Sequence, residues 1–311
     1  MLINLRQYRA AIISIMVLLA FTAIFLIYKK HGSKSPEVPQ SGMEMIRGDY
    51  LSWNEVKGIF PIYAQARVID VDSGLEFNVQ RRGGNRHVDV QPLTAADTAM
   101  MKKIYEGQWT WKRKAVVVQL ENGRKIAASM NGMPHGQGAI SGNNFNGHFC
   151  IHFRNSTTHG SKKIDLAHQM MIWKAANILD VQLQSLSSRE AVEVLFTAIG
   201  QNELGIAGKL IDVEGDIQPV MEKLKKINML RIDGIQKADG NAFNVELRVV
   251  FYDSNREFQH NLLVNAIRKD NGWKIDPRTI MKWPQYTGQG TLKVTNNIIW
   301  EDEDLETDSP E

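Results

Sequence analysis

Six of the eight histidines of this chain fall between His87 and His168, and four of those lie between His135 and His159, where the single cysteine, Cys150, also sits. Imidazoles and thiols are the side chains that shuttle protons, attack carbonyls and bind transition metals near neutral pH. The sharpest spelling is Gly147-His148-Phe149-Cys150-Ile151-His152-Phe153. Successive side chains of a strand alternate faces. His148, Cys150 and His152 therefore share one face, while Phe149, Ile151 and Phe153 take the other, the core face. Around this strand lie segments that read as polar loops: Arg86-His87-Val88-Asp89, Met133-Pro134-His135-Gly136 and Asn155-Ser156-Thr157-Thr158-His159-Gly160-Ser161.

Two chemistries fit these residue types. In a thiol enzyme a neighbouring imidazole takes the proton of Cys150, with His152 or His159 as the expected base and Ser156, Thr157 or Asn155 to orient it or to donate to an oxyanion. His87, Asp89, His135, His148, Ser156 and Thr158 would then line the substrate side, and no cofactor is expected. A metal enzyme would instead draw ligands from His87, His135, His148, His152 and His159, with Asp89 completing the shell or positioning water. Neither an HExxH nor a paired CxxC spacing is present. The plainest alternative makes His148 and His152 polar residues of an exposed strand face and Cys150 a small buried thiol.

The elements that must hold these residues follow from pattern. Trp53 to Phe60 predicts a short helix, and Ala66 to Val71 and Leu75 to Val79 predict strands joined at Asp72-Ser73-Gly74. Thr94 and Asp97 have the spacing of a capping box opening a helix through Tyr105. Ala115 to Leu120 and Lys125 to Met130 flank Glu121-Asn122-Gly123-Arg124 as a second hairpin, and Ile164 to Leu179 reads as a helix. Beyond Ser187 come helices near 189–200, 204–210 and 217–227, then strands near 229–236, 244–252, 257–268 and 273–276. Helices followed by a meander predict an α+β unit, with helices covering a curved antiparallel sheet.

Ala10 to Tyr28 is an apolar run without a charge, and as a helix it would cover about 28 Å, close to a bilayer core. It ends in bulky residues and Lys29-Lys30 rather than a small-residue cleavage site, so a retained anchor is expected. No cysteine near its end offers a lipid attachment point. Flanking charges do not choose an orientation. A short amino-terminal tail, a large carboxy-terminal body and sparse cysteine use place the body outside the cytoplasm. Gly32, Ser33, Pro36, Pro39 and Gly42 mark a linker. The expected organisation is a tail over 1–9, an anchor over 10–28, a linker over 29–48, a β-rich mixed domain carrying the histidines and cysteine over 49–182, a second domain over 186–283 and an acidic tail over 284–311.

Net charge is +3, but seven acids crowd between Glu301 and Glu311, so the rest of the chain is basic. Such a body is drawn to anionic wall polymers or lipid head groups. No basic run with interleaved aromatics points to nucleic acid.

Three resemblances add to this. The words Val68-Ile69-Asp70-Val71-Asp72-Ser73-Gly74, Arg86-His87-Val88-Asp89-Val90-Gln91-Pro92-Leu93-Thr94, Ala127-Ala128-Ser129-Met130-Asn131-Gly132-Met133-Pro134-His135-Gly136, Gly147-His148-Phe149-Cys150-Ile151-His152-Phe153 and Thr158-His159-Gly160 to His168-Gln169 resemble an exported cell-envelope module of Gram-positive bacteria, found beside peptidoglycan-binding repeats. That resemblance implies peptidoglycan or its stem peptides as the partner. Ile151-His152 and Thr158-His159-Gly160 are also similar to the motif of wall L,D-transpeptidases, in which an isoleucine-histidine step precedes a serine or threonine, histidine, glycine and nucleophilic cysteine. Ser161 stands where that cysteine belongs. Glu190 to Phe196 and Asn271 to Asp276 resemble the nuclear transport factor 2-like, cystatin-like cone, which implies a pocket or a docking domain for a membrane partner.

Overall fold

The computed structural model describes residues 46–158, 160–254 and 256–283. The apolar run Ala10 to Tyr28, His159 and the acidic tail lie outside them. Among the described residues no helix is long and apolar enough to cross a membrane.

The first half of the described chain is built around a barrel. Helix α1 (Trp53–Ile59) opens with a complete capping box from Ser52 and Glu55. Then follow β1 (Gln65–Asp70), β2 (Glu76–Gly83) and β3 (Val88–Pro92), helix α2 (Ala95–Ile104), β4 (Lys114–Leu120), β5 (Lys125–Met130) and β6 (Phe149–His152). All pairings are antiparallel, and the order β1-β2-β3-β6-β5-β4 closes on itself. The expected capping box at Thr94 and Asp97 forms in full, and Asp97 also accepts the Asn78 amide, tying α2 to β2.

Alternation places Val68, Phe77, Val79, Val88, Val90, Val116, Val118, Ile126, Ala128, Met130, Phe149 and Ile151 in one buried cluster inside the barrel. The outer face of β4 and β5 is buried as well. There Ala115 and Ala127 join a second cluster with Met170, Met171, Ile172 and Ala175 of helix α3 (Leu166–Ala175). Small residues at these outward positions let a helix lie close on the barrel wall.

Short α4 (Leu179–Ser185) leads to α5 (Ser188–Gly200), capped by Ser187 and Glu190, then to α6 (Leu204–Leu210) and α7 (Gln218–Leu224). Strands β7 (Ile227–Lys237), β8 (Ala242–Phe251), β9 (Glu257–Lys269) and β10 (Gly272–Ile275) form an antiparallel meander in the order β10-β9-β8-β7, and α8 (Pro277–Lys282) closes the described chain. The expected succession of helices and then a meander is therefore present, in a mixed α+β fold. Ala191, Val192, Leu195, Phe196 and Ile199 of α5 share a cluster with Val245, Leu247, Val249 and Val264 of the sheet and with Met170 and Ile172 of α3. One apolar core thus runs from the outer barrel wall to the second sheet.

Two expectations change. Arg86-His87-Val88-Asp89, read as a loop, leads into a strand, because Val88 and Val90 fill the barrel while Asp89 pairs across to Cys150. The helix expected from Ile164 to Leu179 spans only Leu166–Ala175, because Asn177 takes a left-handed backbone (φ 58) just beyond its end, and the next helix begins at Leu179.

Candidate functional site

The site is on the outer face of β3, β6 and β5. Register sets Asp89 opposite Cys150, and Ser129 opposite His152. Phe149 and Ile151 turn inward, as their alternation predicts, so Cys150 and His152 must turn outward. That outward face is not exposed. Cys150 and His152 are each only 2% exposed, which removes the reading of His152 as a solvated strand residue.

What covers the thiol is the excursion from Asn131 to Gly147. It returns beside its own start through a two-bond bridge: the His135 amide donates to the His148 carbonyl at 2.9 Å and the reverse bond is 2.8 Å. Gly147 makes this approach feasible. Its φ is +103, and a Cβ there would overlap the His135 carbonyl oxygen. Gly136 has φ +57, and a Cβ on it would overlap the His148 ring. Buried Gln91 holds the middle of the excursion by accepting the Ala139 and Ile140 amides at 2.7 and 3.0 Å.

The bridge delivers His135 to the cysteine, with Nε2 3.1 Å from Cys150 Sγ. Nδ1 of the same ring is 2.8 Å from the Met133 carbonyl. A carbonyl can only accept, so Nδ1 carries the proton and Nε2 presents its lone pair to the thiol. Trp111 packs against the ring, with centroids 5.1 Å apart. His148 and His87 repeat the pattern: Nδ1 of His148 meets the Gln137 carbonyl at 3.0 Å, and Nδ1 of His87 meets the Thr157 carbonyl at 2.8 Å. Asp89 sits among them. Its Oδ1 lies 3.2 Å from His87 Nε2, 4.0 Å from His148 Nε2 and 3.8 Å from Cys150 Sγ. The side chains of His148 and Asp89 are 18% and 14% exposed, so the cluster reaches solvent on their side.

A second row runs behind the first. His152 stacks between His87, with centroids 4.4 Å apart, and His168 at 3.7 Å with the rings within 5° of parallel. His168 is on α3, and its Nδ1 is 2.8 Å from the Ser129 hydroxyl. Burial pushes the His168 ring well below the ordinary imidazole value; Arg113 and, more weakly, His87 act in the same direction, against Asp165. Asp165 caps α3 by accepting the His168 amide and pairs with buried Arg113 at 3.0 Å. Burial alone would raise the Asp165 carboxyl, but Arg113, His168 and the amides of His168 and Ala167 together bring it below the ordinary carboxylate range.

Of the residues singled out from sequence, His87, Asp89, His135, His148 and Cys150 are brought together. The imidazole that meets the thiol is His135, whereas His152 is held in the stack. Ser156 and Thr158 belong to a turn: the Ser156 hydroxyl accepts the Phe153 amide at 3.0 Å, and the Thr158 and Ser161 hydroxyls bond each other at 2.7 Å. His159 lies outside the described residues. Sequence reasoning did not single out Ser129, His168, Arg113 and Asp165, which build the rear of the site from distant elements. The sequence signal for His135 as partner of Cys150 was the pair Gly136 and Gly147, placed where a chain must cross close to itself.

Among ligand groups, His135, His148 and Cys150 form one set whose donor atoms lie within 4.8 Å of one another, and His87, Asp89 and Cys150 form another. His152, counted among the ligands from sequence, enters neither set. Comparison with family models, curated proteins and solved structures finds no match for this chain.

Proposed function

We propose that a buried thiol beside an oriented imidazole makes this chain a cysteine-histidine acyl-transfer enzyme of the bacterial cell envelope, acting as hydrolase or transferase on peptidoglycan stem peptides. The observation that carries the reading is the 3.1 Å approach of His135 Nε2 to Cys150 Sγ, with Nδ1 committed to the Met133 carbonyl. In that tautomer Nε2 takes the thiol proton as Sγ attacks an amide carbonyl. The protonated ring then returns the proton to the departing amine, which leaves a thioester. Water or a second amine resolves the thioester and restores the thiol. Asp89, 3.8 Å from Sγ, and His87 behind it flank the reacting pair.

The choice of substrate rests on sequence resemblance. It comes from the words shared with the exported cell-envelope module; the partial L,D-transpeptidase motif at Ile151-His152 and Thr158-His159-Gly160 has Ser161 in the place of its cysteine. In this reading the 10–28 run anchors the protein in the cell membrane with the body outside the cytoplasm. The barrel over 49–182 meets the wall, and the cone-like unit over 186–283 docks a membrane partner.

Incubating the full-length protein with disaccharide-tetrapeptide and disaccharide-pentapeptide fragments, followed by mass analysis of the products, tests the proposal. Cys150→Ser should abolish turnover, and His135→Asn should lower it by about 10²- to 10⁴-fold, the usual worth of a positioned base. Turnover that survives Cys150→Ser, or wall binding with no turnover by the native protein, would overturn it.

A further inference from the structure

We infer that the cluster around Cys150 is also a binding site for one divalent transition metal of the zinc class, held by Cys150 Sγ, His135 Nε2, His148 Nε2 and a carboxylate oxygen of Asp89. Metal occupancy and nucleophilic use of Cys150 are then mutually exclusive. The inference needs only the ligand geometry and does not depend on the acyl-transfer reading.

Three observations support it. The first is donor type: thiolate, imidazole and carboxylate form a set suited to borderline-soft zinc rather than to calcium or magnesium, which prefer all-oxygen shells. The second is spacing. Zinc bonds of about 2.0–2.3 Å in a tetrahedron require ligand-to-ligand edges of roughly 3.3–3.6 Å. Three of the six edges are 3.1 Å from Sγ to His135 Nε2, 3.8 Å from Sγ to Asp89 Oδ1 and 4.0 Å from His148 Nε2 to Asp89 Oδ1, and the donors of His135, His148 and Cys150 all lie within 4.8 Å of one another. Side-chain movements of up to about 1 Å bring such a set to tetrahedral edges.

The third is orientation. Metal-ligating imidazoles usually donate their other ring N–H to a carbonyl or carboxylate, which fixes the tautomer that bares the ligating nitrogen. His135 and His148 both do so, through Met133 and Gln137. His87 does the same through Thr157, and its bared Nε2 lies 3.2 Å from Asp89 Oδ1. The bridge between His135 and His148 presents both rings from one rigid unit. A bound metal would take the thiolate as a ligand, so the sulfur could neither attack a carbonyl nor react with an alkylating agent.

Cobalt(II) and zinc(II) titrations of the full-length protein test this without any activity measurement. One equivalent of cobalt should produce the near-ultraviolet sulfur-to-cobalt charge-transfer band, and zinc should displace it. Saturating zinc should slow alkylation of Cys150 by iodoacetamide at least about tenfold, and His148→Gln should weaken cobalt binding by at least about tenfold, since even outer-shell losses have that effect. Cys150→Ser should lose the charge-transfer band while keeping the native circular dichroism. Absence of the band in the native protein at cobalt excess, alkylation indifferent to zinc, or a His148→Gln protein that binds as tightly as the native one would each overturn the inference. The first two readouts use the native chain, so a variant that fails to fold does not rescue it.

Discussion

Replacing His168 by Asn should flatten the acid side of the stability profile. In the folded protein the His168 ring is fully buried among His152, Ser129 and the Arg113–Asp165 pair, and burial holds its proton affinity well below the ordinary value. In the unfolded chain it titrates near 6.5. The folded state therefore binds fewer protons, and the stabilisation from a neutral ring is fully present above pH 6.5. It is lost as pH falls below 6.5, at about 1.4 kcal/mol per pH unit, until the folded-state value is reached. Between pH 7.5 and 5.5 a ring whose folded-state proton affinity lies below that range removes on the order of 1 kcal/mol, because only the lower of those two units lies in the titrating window. Asn keeps a polar group for Ser129 and does not titrate. Urea unfolding of both proteins at the two pH values isolates His168 and the neighbours it is coupled to, Asp165 and His87, since groups remote from it cancel in the difference. The native protein should lose on the order of 1 kcal/mol more than the variant, a relative midpoint shift on the order of half a molar urea. Equal losses in the two proteins would mean that the folded state accommodates the charge, and the account of the rear of the site would fall.

Gly147→Ala forces a side chain into the His135 carbonyl at a positive φ. It should cost about 2–4 kcal/mol from backbone strain and loss of the two bridge bonds, and separate His135 from the thiol. Thermal unfolding should show the loss, and a variant of native stability would contradict the bridge. Arg113→Met leaves the partly exposed Asp165 (22%) without its 3.0 Å partner, and with water still reaching that carboxylate the loss should be about 1–3 kcal/mol. The double variant Arg113→Met with Asp165→Asn should recover much of that loss in chemical denaturation, and no recovery would show that the pair is not coupled.

How much of this was legible in the sequence differs by element. Capping residues are local, and Thr94 with Asp97 forms a box as read from its spacing. Alternation is local too, so Phe149, Ile151 and Phe153 were assigned inward correctly. Strand β3 was missed because its neighbours Gly84 and Asn85 and its own Asp89 and Gln91 look like a turn, whereas its status depends on pairing with β2 and β6. His135 was placed in the cluster but not given the role of base. Its approach to Cys150 depends on a bridge between residues that neither periodicity nor propensity predicts. Ser129 and His168 were invisible for the same reason: one belongs to a strand and the other to a helix, and only the packing of α3 on the barrel brings them within hydrogen-bonding distance.

The seam made by β6 also bears on how the protein is assembled in time. This strand has only four residues, and it joins β3, some sixty positions earlier in the chain, to β5. Hairpins β1–β2 and β4–β5 close short loops and can form early, but joining β3 to β6 must first overcome the entropy of a long loop. Barrel closure is therefore expected late in folding, and it is the step that brings Asp89 and His87 to Cys150. The local bridge can set His135 beside the thiol earlier, so the site is completed, with its carboxylate, in the same step that completes the architecture.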